Sequence, residues 1–336
     1  MKKVEILFAF LLILFLVFPC LGATVDESRM GKKIAEEVEK EFPLVKNPVD
    51  VSRVESVGYS LARFSTRQDI EYKFKVIAKK DINAFSIPGG YVYVFKGMLD
   101  FVRTDSELAA VIAHEIAHIE YRHALKQVAT ARKMTVYSLA IALLTRTPAG
   151  ILLPDLLSTA ILNKYSREYE EEADLRSVEL LMKAGYNPVG ALTIIERLYT
   201  LSLTQPPKDY GIMMSHPELK DRARYILKCL KDKGVVIDRR KAANYLPVKI
   251  GNDGLSVYME DTLIYKASSP EEAQKLASKL DESFKVDLEP FQIRVEEGKL
   301  TVDGVPVKSG PDEILKSIRD KLVKILLDFR IRYMPF

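Results

Sequence analysis

The sequence predicts an α+β fold, made of a mainly helical domain with a small β-sheet and a smaller C-terminal α/β domain of ββα type. Before residue 234, apolar residues recur mostly at helical spacing, and only short stretches alternate as strands do. After residue 235, two hairpin-like stretches are each followed by a helix-like stretch. We therefore predict a leader over residues 1–23, a main domain over 24–234 and a C-terminal domain over 235–336.

Composition excludes two broad classes of protein. Hydrophobic residues make up 48% of the 336 residues, which is more than a disordered chain carries, so we expect a sizeable core. The net charge is only +4, and charges of both signs are mixed along the chain without the basic stripe that binds nucleic acid. No nucleic-acid partner is expected.

The first residues have the pattern of a secretory signal peptide. Lys2 and Lys3 precede an apolar run from Ile6 to Phe18, and small residues follow the run. The run is shorter than the roughly 20 residues that span a bilayer, which favours a cleaved leader over an uncleaved anchor. We therefore expect an exported protein of the periplasm or cell envelope. After cleavage Cys229 would be its one cysteine, so no internal disulfide is expected.

Two helices and two strands are predicted ahead of the centre of the chain. Residues 31–42 and 49–64 carry apolar residues at helical spacing, and an Asn-Pro pair precedes the second stretch as a helix-start signal. Residues 71–78 alternate apolar and charged side chains, and residues 91–95 follow a Pro-Gly-Gly turn. A small sheet is therefore expected before the central helix.

The centre of the chain predicts long helices. Thr104 and Glu107 form a capping-box pattern, and the absence of proline and glycine predicts one helix from there to about Arg132. Further helices are predicted over residues 167–184, 188–203 and 216–233. The apolar stretches at 134–144 and 151–162 are too short to span a bilayer, so we expect them to wall a cleft, with shallow peripheral membrane contact as the alternative.

The C-terminal region predicts two hairpins and two helices. Residues 255–267 and 299–307 have hairpin patterns, and Pro270 and Pro311 each mark the start of a helix. The similar order of elements indicates a weak internal repeat. This region contains no recognisable chemical motif, so its partner is unknown from the sequence.

The stretch VIAHEIAHIEYRH, residues 111–123, carries the strongest chemical signal. His114 and His118 are four residues apart, which places both imidazoles on one face of the predicted helix. Burial of two imidazoles and the Glu115 carboxylate is costly unless a cation pairs with them. His-Glu-x-x-His on a helix is the pattern of zinc hydrolases, and we expect one Zn²⁺ per chain. A pair of satisfied core histidines beside an incidental glutamate is the alternative.

Each residue of the motif has an expected role. Glu115 lies about 100° round the helix from His114, so it is expected to act as general base on a zinc-bound water and then to protonate the leaving amine. His123 follows His118 by five residues. It is predicted to point about 140° away, as a supporting or structural residue rather than a ligand. Zinc therefore needs a third protein ligand from elsewhere.

The stretch SREYEEEAD, residues 166–174, supplies the candidate for that ligand. Glu170 and Asp174 share a helix face that is expected to turn inward. Glu170 is then the expected third ligand, and Asp174 is expected to orient a ligand imidazole. Glu171 and Glu172 are explained more simply as a solvated acidic first turn.

These stretches together resemble one known family. The order of three stretches resembles that of the HtpX/BepA-type zinc metallopeptidases, relatives of the CaaX prenyl protease and of Oma-type proteases. The stretches are NAFSIPGGYVYVFKGML, then HEIAH, and then SREYEEEAD about fifty residues after HEIAH. The resemblance covers residues 31–224 and implies a zincin-like metallopeptidase domain. It also implies Glu170 as the third zinc ligand, in agreement with the expected inward position of Glu170 on its helix.

The resemblance extends to the stretch SHPELKDR, which begins at Ser215. The family carries a His-Pro pair here, which implies His216 as a catalytic helper near the zinc, either for the oxyanion or as a removable ligand that gates the site. Arg222 is implied as a supporting residue. Ser215 and Glu218 form a capping-box pattern that would put His216 at the start of a helix. A helix-start residue without a catalytic role is the alternative for His216.

The family further implies an edge strand beside the active site that grips an extended substrate by main-chain pairing. A buried hairpin is the alternative at this place. HtpX itself has spanning helices and BepA-like members add a helical repeat domain, and neither pattern is found in this sequence. The matching substrate-binding residues are Asn83, Ala84, Phe85, Tyr91, Val92 and Tyr93.

The sequence and the resemblance together predict an exported zinc metalloendopeptidase. Misfolded or unassembled envelope proteins as substrates are implied by the resemblance alone. The first alternative is a chaperone or assembly factor with a gated, mostly silent zinc site. The second is a membrane-associated protease that binds through residues 134–162.

Overall fold

A computed structural model describes residues 27–127, 165–204 and 218–333. The leader, the apolar stretches at 134–144 and 151–162, and His216 lie outside the described residues. No helix within the described ranges is both long and apolar enough to cross a bilayer.

The described chain is a mixed α+β structure, as predicted. Its first part combines helices with one small sheet. The elements in chain order are α1 (Glu27–Glu41), α2 (Pro48–Ala62), β1 (Lys73–Ile77), β2 (Ala84–Ile87), β3 (Tyr91–Phe95), α3 (Lys96–Phe101) and α4 (Asp105–Glu120). They are followed by α5 (Arg167–Ala184), α6 (Val189–Thr204), α7 (Leu219–Asp232) and α8 (Arg239–Ala243).

The small sheet has the strand order β1-β3-β2. The central strand β3 pairs in parallel with β1, where Lys73 lies opposite Tyr91, and in antiparallel with β2. The tight turn between β2 and β3 requires glycine, because Gly90 has a φ of 96° and a Cβ there would lie 2.4 Å from the carbonyl oxygen of Glu71. The edge strand β2 contacts α4.

The helix α4 lies at the centre of the larger hydrophobic core. It contacts α2, α5, α6 and the sheet, and its residues from Glu107 to Glu120 are all buried. Thr104 caps its start by accepting a hydrogen bond from the backbone N–H of Glu107. At the same end α6 packs closely, since a Cβ on Gly190 would lie 2.6 Å from the carbonyl oxygen of Ser106. The side chains of α4 are therefore held in a closely packed setting.

The predicted central helix is wrong at its C-terminal end, because α4 ends at Glu120 rather than at about residue 132. A turn follows, in which Arg122 has a left-handed φ of 55°. The Glu120 carboxylate accepts hydrogen bonds from Arg176 of α5 and from the backbone N–H of Thr66, each at 2.6 Å. These partners come from distant parts of the chain, so the local sequence carries no stop signal.

The predicted start of the helix near His216 is also corrected. The helix α7 begins at Leu219, and Glu218 is its N-cap residue, with a left-handed φ of 69° and no side-chain capping hydrogen bond. Glu218 therefore cannot be the third residue of a helix capped by Ser215, which itself lies outside the described residues. The capping-box prediction is wrong because the backbone of Glu218 has a left-handed rather than a helical conformation.

Residues 248–333 form two similar units, each a three-stranded sheet followed by a helix. The sequence predicts two strands in each unit, and the structure adds a third. The first unit consists of β4 (Val248–Ile250), β5 (Ser256–Met259), β6 (Thr262–Lys266) and α9 (Pro270–Ser283). The second consists of β7 (Ile293–Glu296), β8 (Lys299–Val302), β9 (Val305–Ser309) and α10 (Asp312–Tyr333).

The two C-terminal units share a structural detail and a core. The pairing register shifts at the same place in each, between Val257 and Tyr258 and between Leu300 and Thr301. Each helix also packs against the other unit's sheet, because α9 contacts β9 and α10 contacts β6. Buried residues of both units form one hydrophobic cluster. The domain boundary at residue 235 stays a prediction.

The short helix α8 connects the two parts of the described chain. Arg239 forms a bidentate ion pair with Glu196 of α6, with nitrogen–oxygen distances of 2.8 and 2.9 Å. The hydroxyl of Thr104 donates a hydrogen bond to the carbonyl oxygen of Ala242 at 2.7 Å. The helix α8 thus ties the start of α4 to the C-terminal units, and α6 also contacts α10 directly.

Candidate active site

Three predicted ligands converge between α4 and α5. His114 and His118 lie one turn apart on α4, and Glu170 lies in the first turn of α5. The two Nε2 atoms are 3.0 Å apart, and the Glu170 carboxylate oxygens lie 3.5 Å from His114 Nε2 and 3.6 Å from His118 Nε2. All three side chains are buried. Among the described residues, His114, His118 and Glu170 form the group of potential ligand side chains that lie close enough together to hold a metal ion.

The sequence of α5 places Glu170 at this point. Ser166 caps the helix by accepting a hydrogen bond from the backbone N–H of Tyr169, and Gly185 ends it in a left-handed conformation. Glu170 therefore falls in the first turn, and Asp174 falls one turn further along the same face. Because α4 and α5 pack side by side, this face lies against the two histidines.

Asp174 and Arg222 form a buried clamp behind the three ligands. Asp174 Oδ1 lies 2.9 Å from His114 Nδ1, and Arg222 of α7 donates to both Asp174 oxygens at 2.7 and 2.8 Å. Arg222 Nη1 also lies 3.0 Å from Glu170 Oε2. The hydroxyl of Tyr225 donates to Asp174 Oδ2. Burial opposes the ionisation of Asp174, but the charge of Arg222 prevails and holds the pKa of this carboxyl well below its usual range.

The donor set fits a divalent metal ion. An ionised carboxylate only accepts hydrogen bonds, so the proton of His114 belongs on Nδ1 opposite Asp174, which leaves the Nε2 lone pair directed at the cluster. The described side chains around the cluster include three buried carboxylates, those of Glu115, Glu170 and Asp174, beside the buried guanidinium of Arg222. With neutral imidazoles, the carboxylates in this described set outnumber the guanidinium by two, and the charge of a divalent cation matches that difference.

Glu115 lies beside the ligand cluster on α4 rather than within it. Its carboxylate is buried, and Oε2 accepts a hydrogen bond from the hydroxyl of Ser86 at 2.9 Å. Ser86 belongs to the edge strand β2, so the sheet fixes the position of this carboxylate. Ser86 was not predicted from the sequence, although a buried serine within an apolar strand signals a polar contact.

A pocket opens next to His114 and Glu115. Apart from the polar groups of the site, its walls are apolar, and they come from α4 and α6. The apolar lining residues are Ala110, Val111, Ala191, Ile194, Ile195 and Leu198. The pocket therefore offers an apolar surface directly beside the candidate general base.

Tyr165 covers one side of the cluster. Its ring stacks on that of His118, with centroids 4.0 Å apart and planes 17° apart. Burial, and then the charges of Glu115 and Glu170, raise the pKa of the Tyr165 phenol well above its ordinary value. The phenol therefore keeps its proton at neutral pH. Tyr165 precedes the acidic motif directly, and its type and spacing carry no signal that predicts this position.

His123 lies against His118, a contact that was not predicted. After the left-handed turn at Arg122, the His123 ring comes back to the cluster, and its Nδ1 lies 2.8 Å from His118 Nδ1. Its Nε2 lies 3.0 Å from the Glu172 carboxylate, so Glu172 is more than a solvated first-turn residue. The predicted orientation about 140° away from His118 is wrong because α4 does not continue to His123. Burial lowers the pKa of His123, although Glu172 opposes the shift.

The structure divides the predicted substrate-binding residues between two strands. Those of β3 lie in the central strand, whose backbone pairs on both sides, so an added strand cannot pair there. Main-chain pairing with a substrate is thus excluded at Tyr91, Val92 and Tyr93, and any other role of these residues in substrate binding stays a prediction. Ala84 and Phe85 begin the edge strand β2, and Asn83 directly precedes it; the role of these three residues in substrate binding stays a prediction.

The fold and the site together define a metallopeptidase whose candidate ligands come from two packed helices. The chain belongs to peptidase family M48, because residues 48–229 match the sequence profile of that family. The family resemblance inferred from the motifs is thereby confirmed.

Named relatives cover part of the same region. The chain is similar to the mitochondrial metalloendopeptidase OMA1 of Schizosaccharomyces pombe, at 32% identity over 210 residues, which is 61% of this chain and 61% of that protein. It is 26% identical over 210 residues to the beta-barrel assembly-enhancing protease of Escherichia coli K12, covering 58% of this chain and 42% of the relative. It is 28% identical over 190 residues to the metalloprotease LoiP of the same strain, covering 54% and 71%. The match to the first two spans less than two thirds of their length.

Proposed function

We propose that this protein is an exported zinc metalloendopeptidase with one Zn²⁺ held by His114, His118 and Glu170. The observation that carries the proposal is the convergence of these side chains beside the buried Glu115. Two imidazoles and one carboxylate form the ligand set of known catalytic zinc sites. Ligand atoms about 2.0 Å from a tetrahedral ion lie about 3.3 Å from one another, close to the 3.0, 3.5 and 3.6 Å distances in the cluster.

Glu115 is the proposed general base and general acid. A bound zinc ion would supply Lewis acidity, which polarises the scissile carbonyl and acidifies water. Glu115 takes a proton from the attacking water and delivers it to the leaving amine. Ser86 holds one oxygen of this carboxylate in place. Tyr165, which keeps its phenolic proton and stacks on His118, is the proposed donor to negative charge in the transition state.

Misfolded or unassembled envelope proteins are the proposed substrates. One relative is named a beta-barrel assembly-enhancing protease. An extended segment can pair with the edge strand β2 through its main chain without regard to its sequence, which suits unfolded proteins. The apolar lining of the pocket beside Glu115 favours an apolar group next to the cleaved bond.

The remaining parts of the proposal concern three segments outside the described residues, namely the leader, residues 134–162 and His216, and the C-terminal region. The leader over residues 1–23 directs export to the periplasm or cell envelope, and the stretches within residues 134–162 wall the cleft, with shallow peripheral membrane contact as the alternative. His216 helps or gates the site, as the family resemblance implies. Residues 235–336 form a domain of their own that binds a partner not identified by its sequence.

The test compares the wild type with Glu115→Gln, and Glu171→Gln serves as a matched control because Glu171 is exposed. Wild type and both variants should bind about one zinc ion per chain. Wild type and Glu171→Gln should cleave unfolded casein, whereas Glu115→Gln should be slower by at least about 100-fold. Wild-type cleavage by Glu115→Gln would contradict the proposal. Casein binding without any cleavage by the wild type would favour the chaperone alternative instead.

A further inference from the structure

We propose that His123 and Glu172 are positioning residues that fix the tautomer and the ring orientation of His118 as a metal ligand. The inference rests on the proposed function in one respect, because it takes His118 Nε2 as a ligand atom. It adds two residues that lie outside the ligand set, the general base and the clamp of Asp174 and Arg222.

The positions of the protons follow from the contacts. A neutral imidazole that binds a metal through Nε2 carries its proton on Nδ1. His118 Nδ1 lies 2.8 Å from His123 Nδ1, so His118 donates and His123 accepts. The proton of His123 must then be on Nε2, which lies 3.0 Å from an oxygen of Glu172, an acceptor when ionised. The N–H of His118 therefore donates to His123, and the N–H of His123 donates to Glu172.

Ring stacking restricts the orientation of both imidazoles. The ring of Tyr165 stacks on His118 at a centroid distance of 4.0 Å, and the ring of Tyr169 stacks on His123 at 4.3 Å. His123 is fully buried, whereas the Glu172 side chain is 52% exposed. Each ring is held by stacking on its face and by hydrogen bonds at its nitrogens. Rotation of each imidazole about its Cα–Cβ and Cβ–Cγ bonds is therefore restricted.

The backbone turn at Arg122 brings His123 into contact with His118. A helix continued beyond Glu120 would carry residue 123 to a different side from His118. The left-handed turn at Arg122 brings it back instead, in a conformation that residues other than glycine seldom adopt. The two histidine ligands therefore have different supports at Nδ1. Asp174 faces Nδ1 of His114 directly, whereas the Glu172 carboxylate reaches Nδ1 of His118 through His123.

Support of this kind strengthens a ligand. A polarised Nδ1–H raises the electron density at Nε2, and loss of such a support typically weakens metal affinity by about 10 to 100-fold. His123→Leu removes the acceptor and keeps an apolar side chain in a buried place. His123→Asn can restore it, because the amide oxygen of Asn reaches about as far from the backbone as Nδ1 of histidine does.

The experiment measures the Zn²⁺ dissociation constant of the full chain by competition with a chromophoric chelator, with circular dichroism to verify folding. We expect His123→Leu to weaken zinc binding about 10 to 100-fold and His123→Asn to recover most of the loss. Glu172→Gln should weaken it about fivefold, since a charged hydrogen bond becomes a neutral one. Glu171→Gln, at the neighbouring exposed position, should bind zinc like the wild type.

A second readout follows the proton directly. In zinc-loaded wild type, ¹⁵N-edited NMR of the imidazoles should show His118 protonated at Nδ1 and His123 protonated at Nε2. The opposite tautomer of His123, or equal zinc affinity in wild type, His123→Leu and His123→Asn, would overturn the inference. Neither readout requires catalysis, so loss of the positioning pair and failure of the peptidase proposal are separate outcomes.

Discussion

Arg222 reaches two acidic side chains with different roles. Its guanidinium donates to Asp174, which faces His114, and lies 3.0 Å from the third candidate ligand Glu170. One cation from α7 therefore holds two parts of the site in register. A buried ion pair contributes little to stability relative to an apolar pair, but removal of one partner leaves an uncompensated buried charge.

Asp174→Asn should therefore destabilise the protein. The substitution keeps the size of the side chain but replaces the two charge-assisted hydrogen bonds of Arg222 by neutral ones, while Glu170 stays beside the guanidinium, and we expect a loss of about 1 to 3 kcal/mol in the free energy of unfolding. Urea denaturation of zinc-free protein measures this loss without a contribution from metal binding.

Asp221→Asn is the matched control for this prediction. Asp221 pairs with Arg224 on the exposed surface of α7, so its loss should cost less than about 1 kcal/mol. Because the folded pKa of Asp174 is depressed, its contribution is complete above the unfolded pKa of about 3.9 and should fade as the pH falls below that value. A loss in Asp174→Asn no larger than in the control at pH 7 would refute the clamp.

Elements whose ends are encoded locally could be predicted from the sequence, and elements whose ends depend on distant residues could not. The helix α5 has its predicted bounds because Ser166 and Gly185 supply both caps within the segment itself. The end of α4 was missed because the partners of Glu120 come from other parts of the chain. His123 was misplaced as a direct consequence. Motif spacing predicted the cluster of ligands, whereas Ser86 reaches Glu115 only through the fold.

The contact between α4 and α6 is a second element-scale feature that can be tested. A Cβ on Gly190 would lie 2.6 Å from the carbonyl oxygen of Ser106, and backbone at this place cannot give way as a flexible side chain can. Gly190→Ala should lower the free energy of unfolding by about 1 to 3 kcal/mol, because α6 must move away from the start of α4. Thermal and urea denaturation measure the loss.

Gly185→Asn is the control for the glycine substitution. Gly185 has a φ of 80° and open space around its Cα, and asparagine tolerates this conformation better than most residues. We expect a loss below about 1 kcal/mol there. Equal stability of Gly190→Ala and wild type would show that the two helices are not in the close contact described.

At the scale of the whole molecule, the short helix α8 lies between the two larger hydrophobic cores, and α6 and α10 also contact each other directly. One core surrounds α4, and the other lies between the C-terminal sheets and helices. The helix α8 links them through the ion pair of Arg239 with Glu196 and the hydrogen bond of Thr104 with Ala242. Thr104 is also the N-cap of α4, so the helix that carries the histidines shares a residue with this junction.

Arg239→Ala should loosen this junction. The ion pair is bidentate and largely shielded from solvent, so we expect a loss of about 1 to 3 kcal/mol and faster limited proteolysis between the two cores. Arg224→Ala removes an exposed ion pair on α7 and should leave both measurements nearly unchanged. Identical proteolysis patterns for Arg239→Ala and Arg224→Ala would argue against α8 as the connection.

The crossing of helices between the two C-terminal units makes each unit incomplete without the other. Lys279 of α9 donates to the carbonyl oxygen of Pro306 in β9, and Lys321 of α10 donates to that of Ile264 in β6. Neither unit has a complete hydrophobic core alone, so we expect the two units to fold together in one cooperative transition. If the chain were cleaved between α9 and β7, we expect the two fragments to bind each other, as segments do in domain swapping, rather than to fold independently.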